Sequence, residues 1–219
     1  MTPRTPSPAA PGARRRWRGA AALLAGAVLS LPAAALQLAP ANLTRLIDQS
    51  ELIVSGKVQS VTDGIDAKGV PFTEVTILVG SSAKKKLAAR SEYKFRQYGL
   101  LASRKLPDGR FLVARAPEGF PVWHRDEQVV AFLRKPASKT GLRSTVGLAQ
   151  GKFTSTGGRL VNEQHNQGLF AGVEVKPGVL TPAESALLRS PSGAVDAAKL
   201  MALVNRAAAG KWIEKGVMR

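Results

Sequence analysis

Residues 51–61 and 70–80 read ELIVSGKVQSV and VPFTEVTILVG, with TDGIDAKG between them. Alternating, β-branched segments on either side of a turn rich in Asp and Gly are the pattern of paired, half-buried strands. Leu52, Val54, Gly56 and Val58 share one face of the first segment; Ser55, Lys57 and Gln59 share the other. Thr73, Val75, Ile77 and Val79 share a face of the second. Gly56, inside a strand, marks a bend or a close backbone approach. The same period returns in SEYKFRQYG (91–99), with Tyr93, Phe95 and Gln97 facing one way, and in EQVVAFLRK (127–135), with Val129, Ala131 and Leu133 in register. LRSTVGLAQGKFTS (142–155) reads as a fifth strand, and RLVNE, after Gly157-Gly158, as a candidate sixth.

Helical signals bracket this run. Asn42 is placed to cap a short helix with Leu43, Leu46 and Ile47 on one face. TPAESALLRS (181–190) opens with a capping box, Thr181 and Glu184, and carries Pro182 at the first helical position. DAAKLMALVNRAAAGKW (196–212) places Leu200, Leu203, Val204 and Ala207 on one face, with Gly210 as its stop. Short sequential strands followed by two helices predict a mainly β fold, a small antiparallel barrel or sandwich of five or six strands. Its expected core is Val54, Val58, Val75, Ile77, Phe95, Val129, Leu133, Leu148 and Phe153. Residues 36–165 are read as the barrel domain, and 166–219 as a linker and C-terminal helical segment.

The first 35 residues read differently. Four arginines (Arg14, Arg15, Arg16, Arg18) precede an apolar run from Ala20 to Leu31, then Pro32 and Ala33-Ala34-Ala35. This is the order of a secretory signal peptide, 1–35, with cleavage after Ala35. The run is too short for a membrane span, which needs about 20 residues. The expected location is periplasmic or secreted, with no integral span once the signal is removed. The chain has no cysteine and two histidines, which excludes disulfides, thiol catalysis and cysteine-bound zinc. Residues 1–35 hold five of the 32 basic side chains and no acid, which leaves 27 against 15, or +12, on the rest. An exported chain of that charge is drawn to lipid head groups, cell-wall polymers or extracellular nucleic acid.

Few residues carry chemistry. VGLAQGKF (146–153) resembles the end of a phosphate loop. However, only three residues separate Gly147 from Gly151, and Phe153 stands where a hydroxyl must bind magnesium. A strand with a bulge at Gln150-Gly151 accounts for it better. Gly151 is then left-handed, Phe153 returns to the core, and Gln150 ties down freed backbone. His124, two residues before Asp126, is the candidate for a hydrolase, and with Asp126 and His165 for a metal. Chance loop histidines are commoner than either, and the pairs Asp63/Asp66 and Asp126/Glu127 read as solvated turn acids. No catalytic residue, metal or cofactor is assigned.

Basic residues gather instead. Lys84, Lys85 and Lys86 precede the third strand, and Lys94 and Arg96 lie on its outer face. Arg104, Lys105, Arg110 and Arg115 occupy the excursion 100–122, which turns at Pro107-Asp108-Gly109. Leu101, Leu106, Phe111 and Val113 exceed what a solvated loop needs. Lys84, Lys85, Lys86, Arg104, Lys105, Arg110 and Phe111 are therefore the candidate contacts for a partner or a polyanion. The charge of the excursion is expected to continue that of Lys84–Lys86.

The order LIDQSELIVSGKVQSV, TEVTILV, KKL, GFPVWHRDEQVVAFLRK and VGLAQGKF resembles a group of uncharacterised bacterial exported proteins over about residues 43–155. Asp126 stands where that pattern has Gly, Trp123 near its usual Phe, and the basic excursion in place of its Gly-rich loop. The resemblance implies an OB-like barrel, similar to the netrin and tissue-inhibitor-of-metalloproteinase domain, encoded near secreted matrixin-type zinc proteases. The inhibitors' N-terminal cysteine is absent here, so their mechanism is not carried over. The function expected is an exported, non-enzymatic binding module acting on or with a secreted metalloprotease. The alternatives are a polyanion-binding envelope protein and a hydrolase using His124.

Overall fold

The computed structural model describes residues 40–106, 108–113 and 118–219. The expected signal peptide, Pro107 of the turn and Arg115 lie outside the described residues. The fold is mainly β, a seven-stranded antiparallel sheet with three helices. A short helix α1 (Leu43–Gln49) leads into two long strands, β1 (Leu52–Ile65) and β2 (Pro71–Ala83), and then β3 (Glu92–Tyr98). A separate two-stranded ribbon follows, β4 (Arg104–Lys105) and β5 (Phe111–Leu112). The main sheet resumes with β6 (Gln128–Leu133), β7 (Lys152–Thr156) and β8 (Arg159–Val161). Helix α2 (Pro182–Leu188), a last strand β9 (Val195–Asp196) and helix α3 (Ala197–Gly210) complete it. The strand order is β3-β2-β1-β6-β7-β8-β9.

The first hairpin is longer than its sequence pattern predicts. β1 runs four residues past Val61, and the turn shrinks to Asp66–Gly69. There Asp66 Oδ1 accepts from the N–H of Lys68 and of Val70, both at 2.8 Å. Gly56 sits at a register shift, and a Cβ on it would stand 2.1 Å from the Leu78 carbonyl oxygen. That is the close approach which only glycine permits.

Two cores lie on opposite faces of the central strands. Leu52, Val54, Val58, Val75, Ile77, Val79, Phe95, Val129, Ala131 and Leu133 form one, with Trp123. Ile53, Val130, Phe132 and Phe153 face the other, which α1 and α3 cover with Leu43, Leu46, Leu200, Leu203 and Val204. β6 is apolar from Val129 to Leu133 because both its faces are buried there. Residues on both sides of position 165 share one core: side chains of α3 join those of α1 and β6, and β9 joins the sheet through β8.

Two placements differ from the expected core. Phe153 is fully buried but on the helix side, against Phe132 at 5.7 Å between ring centroids. Leu148 is only half-buried. The reason is a 3-10 turn at Leu148–Gly151 that interrupts the expected fifth strand, with Gly147 in the left-handed conformation at its start. Gly151 is needed for a different reason from the left-handed bulge expected: its Cα lies against the Val146 carbonyl, where a Cβ would meet the oxygen at 2.2 Å. At the end of α3 it is Lys211, not Gly210, that turns left-handed. Gly210 instead leaves room for the Trp212 ring, whose Nε1 a Cβ would meet at 2.5 Å.

The sheet is not closed by strand pairing between its ends. Segment 144–146 lies along β6, through the Leu133–Thr145 bridge and the Val146 N–H to Phe132 O bond. From its start the Arg143 N–H reaches the Arg96 carbonyl of β3 over 2.7 Å.

Candidate functional site

Residues 100–106 and 108–113 of the excursion form an arm built on one carboxylate. Asp63, on β1, turns its side chain toward the start of the arm. Its Oδ2 accepts the Leu101 N–H at 2.8 Å and the Ala102 N–H at 3.4 Å. Arg104 donates to the Asp63 backbone carbonyl at 3.2 Å and pairs with its Oδ1. Burial pushes the Asp63 carboxyl up, but the two N–H groups and the guanidinium outweigh it and hold the carboxyl below the usual range. Asp63 is thus the anchor of the arm, whereas its place in a Gly-rich turn reads as that of a solvated acid.

From this anchor the ribbon pairs Arg104 with Leu112 and Lys105 with Phe111. The turn between them closes through the Leu106 N–H to the Arg110 carbonyl at 2.7 Å, with Gly109 left-handed. Asp108 accepts from the Arg110 side chain at 2.7 Å, which holds its carboxyl below the usual range. Successive residues of a strand face opposite sides. Arg104 turns toward Asp63, and Leu112 and Val113 line a shallow cleft with Pro71, Tyr98 and Leu100, Val113 at its exposed rim. Lys105 and Phe111 take the opposite side, with the Lys105 Nζ 6.0 Å from the centre of the Phe111 ring. Phe111 is 68% exposed, Val113 70% and Leu101 52%. Five large hydrophobic side chains are exposed among the described residues, and four of them lie between Tyr98 and Val113. That concentration sets the arm apart from the rest of the surface.

The other basic candidates do not join it. Lys84 donates to the Ile47 and Asp48 carbonyls at 2.8 and 3.0 Å, capping the end of α1, and its burial lowers the ammonium pKa. Lys85 pairs with Glu51 at 2.6 Å, and Glu51 also holds Arg143 at 2.7 Å. Lys86 is exposed beside them. These lysines follow the last residue of β2, and the arm lies by its first, some 12 residues or ~40 Å along the strand. Between the two groups, on β3, lie the exposed Lys94 and Arg96, paired with Glu92 and Glu74.

The residues of VGLAQGKF turn inward. The Lys152 side chain is 6% exposed, and its Nζ lies 2.5 Å from Glu127 Oε2 and 2.5 Å from the Val122 carbonyl oxygen, over the Trp123 ring. Trp123 Nε1 donates in turn to Gln97 Oε1 at 2.8 Å. A lysine so placed has no free ammonium for a phosphate. Gln150 does tie down backbone, but at a distance in sequence, accepting the Ala41 N–H at 2.5 Å. Asp126 has φ of +69°, a left-handed conformation that favours glycine. His124 is exposed, its Nε2 3.9 Å from Glu127 Oε1, while His165 lies in the turn capped by Asn162. Among the described residues no group of three or more His, Asp or Glu side chains is placed to hold a metal.

Comparison with protein-family models, curated proteins and solved structures finds no significant match to this chain. The motif residues that carry the resemblance have identifiable structural tasks: Gly56 and Gly151 allow backbone contact, Glu127 pairs with Lys152, and Phe153 fills a core. The arm lies outside those motifs.

Proposed function

We propose that the chain is an exported, non-enzymatic binding module whose contact element is the arm at 100–113. The observation that carries the reading is the outward face of the ribbon, where Phe111 is left in solvent while the Asp63 carboxylate, with its side chain 10% exposed, fixes the base. Exposing an aromatic of this size forgoes roughly 1.5–3 kcal/mol of burial, and a ribbon anchored by Asp63 and Arg104 spends order to hold it there. Such elaborations on a rigid scaffold commonly carry recognition. The scaffold is, in this reading, an OB-like barrel of β1, β2, β3, β6 and segment 142–146, closed at the Arg143–Arg96 bond. The leader sequence supports a periplasmic or secreted location. A secreted protease or an anionic envelope polymer is the partner the resemblance and the charge favour.

The test replaces Arg104, Lys105 and Arg110 together by Ser, and Phe111 separately by Ser. Binding to heparin, DNA and isolated envelope is then measured across salt. A polyanion partner gives a steep salt dependence that the triple variant flattens; an apolar partner gives a shallow one that Phe111→Ser abolishes. Wild-type binding by both variants to every ligand removes the arm as the site. A hydrolase reading would require His124, so an activity abolished by His124→Ala in a folded chain would replace the binding module with an enzyme.

A further inference from the structure

We propose that the arm docks on the surface of an anionic lipid bilayer, with Phe111, Val113 and Leu101 entering the interface and Lys105 meeting the head groups. This rests on the reading of the arm as the contact element and names the class of partner. The choice follows from the chemistry of the exposed side chains. A polynucleotide or acidic polysaccharide rewards cations, and a nucleic acid also rewards stacked rings. Neither has a use for the aliphatic Leu101 and Val113, which are 52% and 70% exposed. Hydrocarbon rewards all three. A protein partner would have to match the shape of this ribbon, whereas a fluid interface accommodates exposed apolar side chains without a matching surface.

The cation is placed to match. Lys105 is directly opposite Phe111 in the ribbon, and no carboxylate pairs with it among the described residues. Its aliphatic stem can lie along the aromatic while the ammonium stays at the level of the phosphates, the arrangement long cationic side chains take at membrane surfaces. Arg104 and Arg110 are paired with Asp63 and Asp108 and contribute less local charge. The charge of +12 outside residues 1–35 supplies long-range attraction to an anionic surface. The arm is not a membrane span: no helix among the described residues is long and apolar enough to cross one. It is a shallow anchor of the interfacial kind.

The chain has no cysteine, so a single Val113→Cys in the full chain, labelled with an environment-sensitive dye, reports from the arm alone. Vesicles of phosphatidylglycerol and phosphatidylcholine in equal parts should shift the emission to the blue, and vesicles of phosphatidylcholine alone should not. Adding Phe111→Ser should abolish the shift. Adding Lys105→Glu should weaken binding about 25-fold, two charge units at roughly fivefold each. Circular dichroism checks the fold of each variant, and Leu101→Cys serves as a second reporter should Val113→Cys not fold. Attachment through the leader alone would leave the signal unchanged in Phe111→Ser and Lys105→Glu, and that result overturns the proposal. An equal response to neutral vesicles, or silence toward both kinds, also overturns it. A shift evoked by heparin or single-stranded DNA but by neither vesicle overturns the lipid assignment while keeping the arm as a contact element.

Discussion

The Leu101 N–H donates to Asp63 Oδ2 over 2.8 Å, and the link joins the exposed arm to the longest strand of the sheet. Asp63 also takes Ala102 and Arg104, so one carboxylate fixes where the ribbon begins. Asp63→Asn keeps the shape and removes the charge. It is expected to weaken the anchor by about 1.5–3 kcal/mol, the range for hydrogen bonds to a charged group. Amide exchange at Leu101 and Ala102 should quicken while β1 and β2 keep their protection. Unchanged exchange at both amides would mean that the arm is held by other contacts.

The same carboxylate sets a pH dependence. Its folded pKa is depressed, so its contribution is fully present above the unfolded value, near 4, and is lost as pH falls through the folded value. Arm protection should be level through neutral pH and decline only below about 4. A loss centred near the ordinary histidine value of about 6.5 would contradict Asp63 as the anchor.

Lys152 and Glu127 are withdrawn together, the carboxylate being 12% exposed. Lys152→Met removes one charge and strands the other, and should cost about 3–5 kcal/mol. Lys152→Met with Glu127→Leu removes both, and most of that loss should return in a thermal or urea melt. A single variant as stable as the wild type would show that the pair is not desolvated.

Gly151→Ala tests the 3-10 turn. The added methyl meets a backbone oxygen that has little room to move, so a loss of about 1–3 kcal/mol is expected from overpacking. Gly157→Ala in the nearby turn meets no atom within 4 Å but carries a φ of +57°. Its cost should be confined to backbone strain, roughly 1–2 kcal/mol. A Gly151→Ala variant as stable as the wild type would place the close contact elsewhere.

Periodicity made the sheet legible. The face Val75, Ile77, Val79 and the face Val129, Ala131, Leu133 follow from alternation alone and meet in one core. The capping box at Thr181 and Glu184 was equally plain, because its bonds lie within four residues. What alternation cannot reveal is a strand broken and resumed. The turn at Leu148–Gly151 sends Phe153 to the second core, and only the partner side chains across the sheet decide this. Charge was legible in amount but not in use. Lys84 and Lys85 look like a solvated run, yet they are occupied by the Ile47 and Asp48 carbonyls and by Glu51, contacts more than 30 residues away. The arm's turn was visible in Asp108-Gly109, while its anchor was not, since Asp63 lies about 40 residues earlier.

Phe111 is the side chain at which contact with a partner is expected. A photo-crosslinking residue placed there, and in parallel at the exposed Lys139, can be activated in cells that export the chain. The expected result is adducts from position 111, lipid among them, and little from position 139. Adducts no more abundant at 111 than at 139 would contradict the arm as the site of contact.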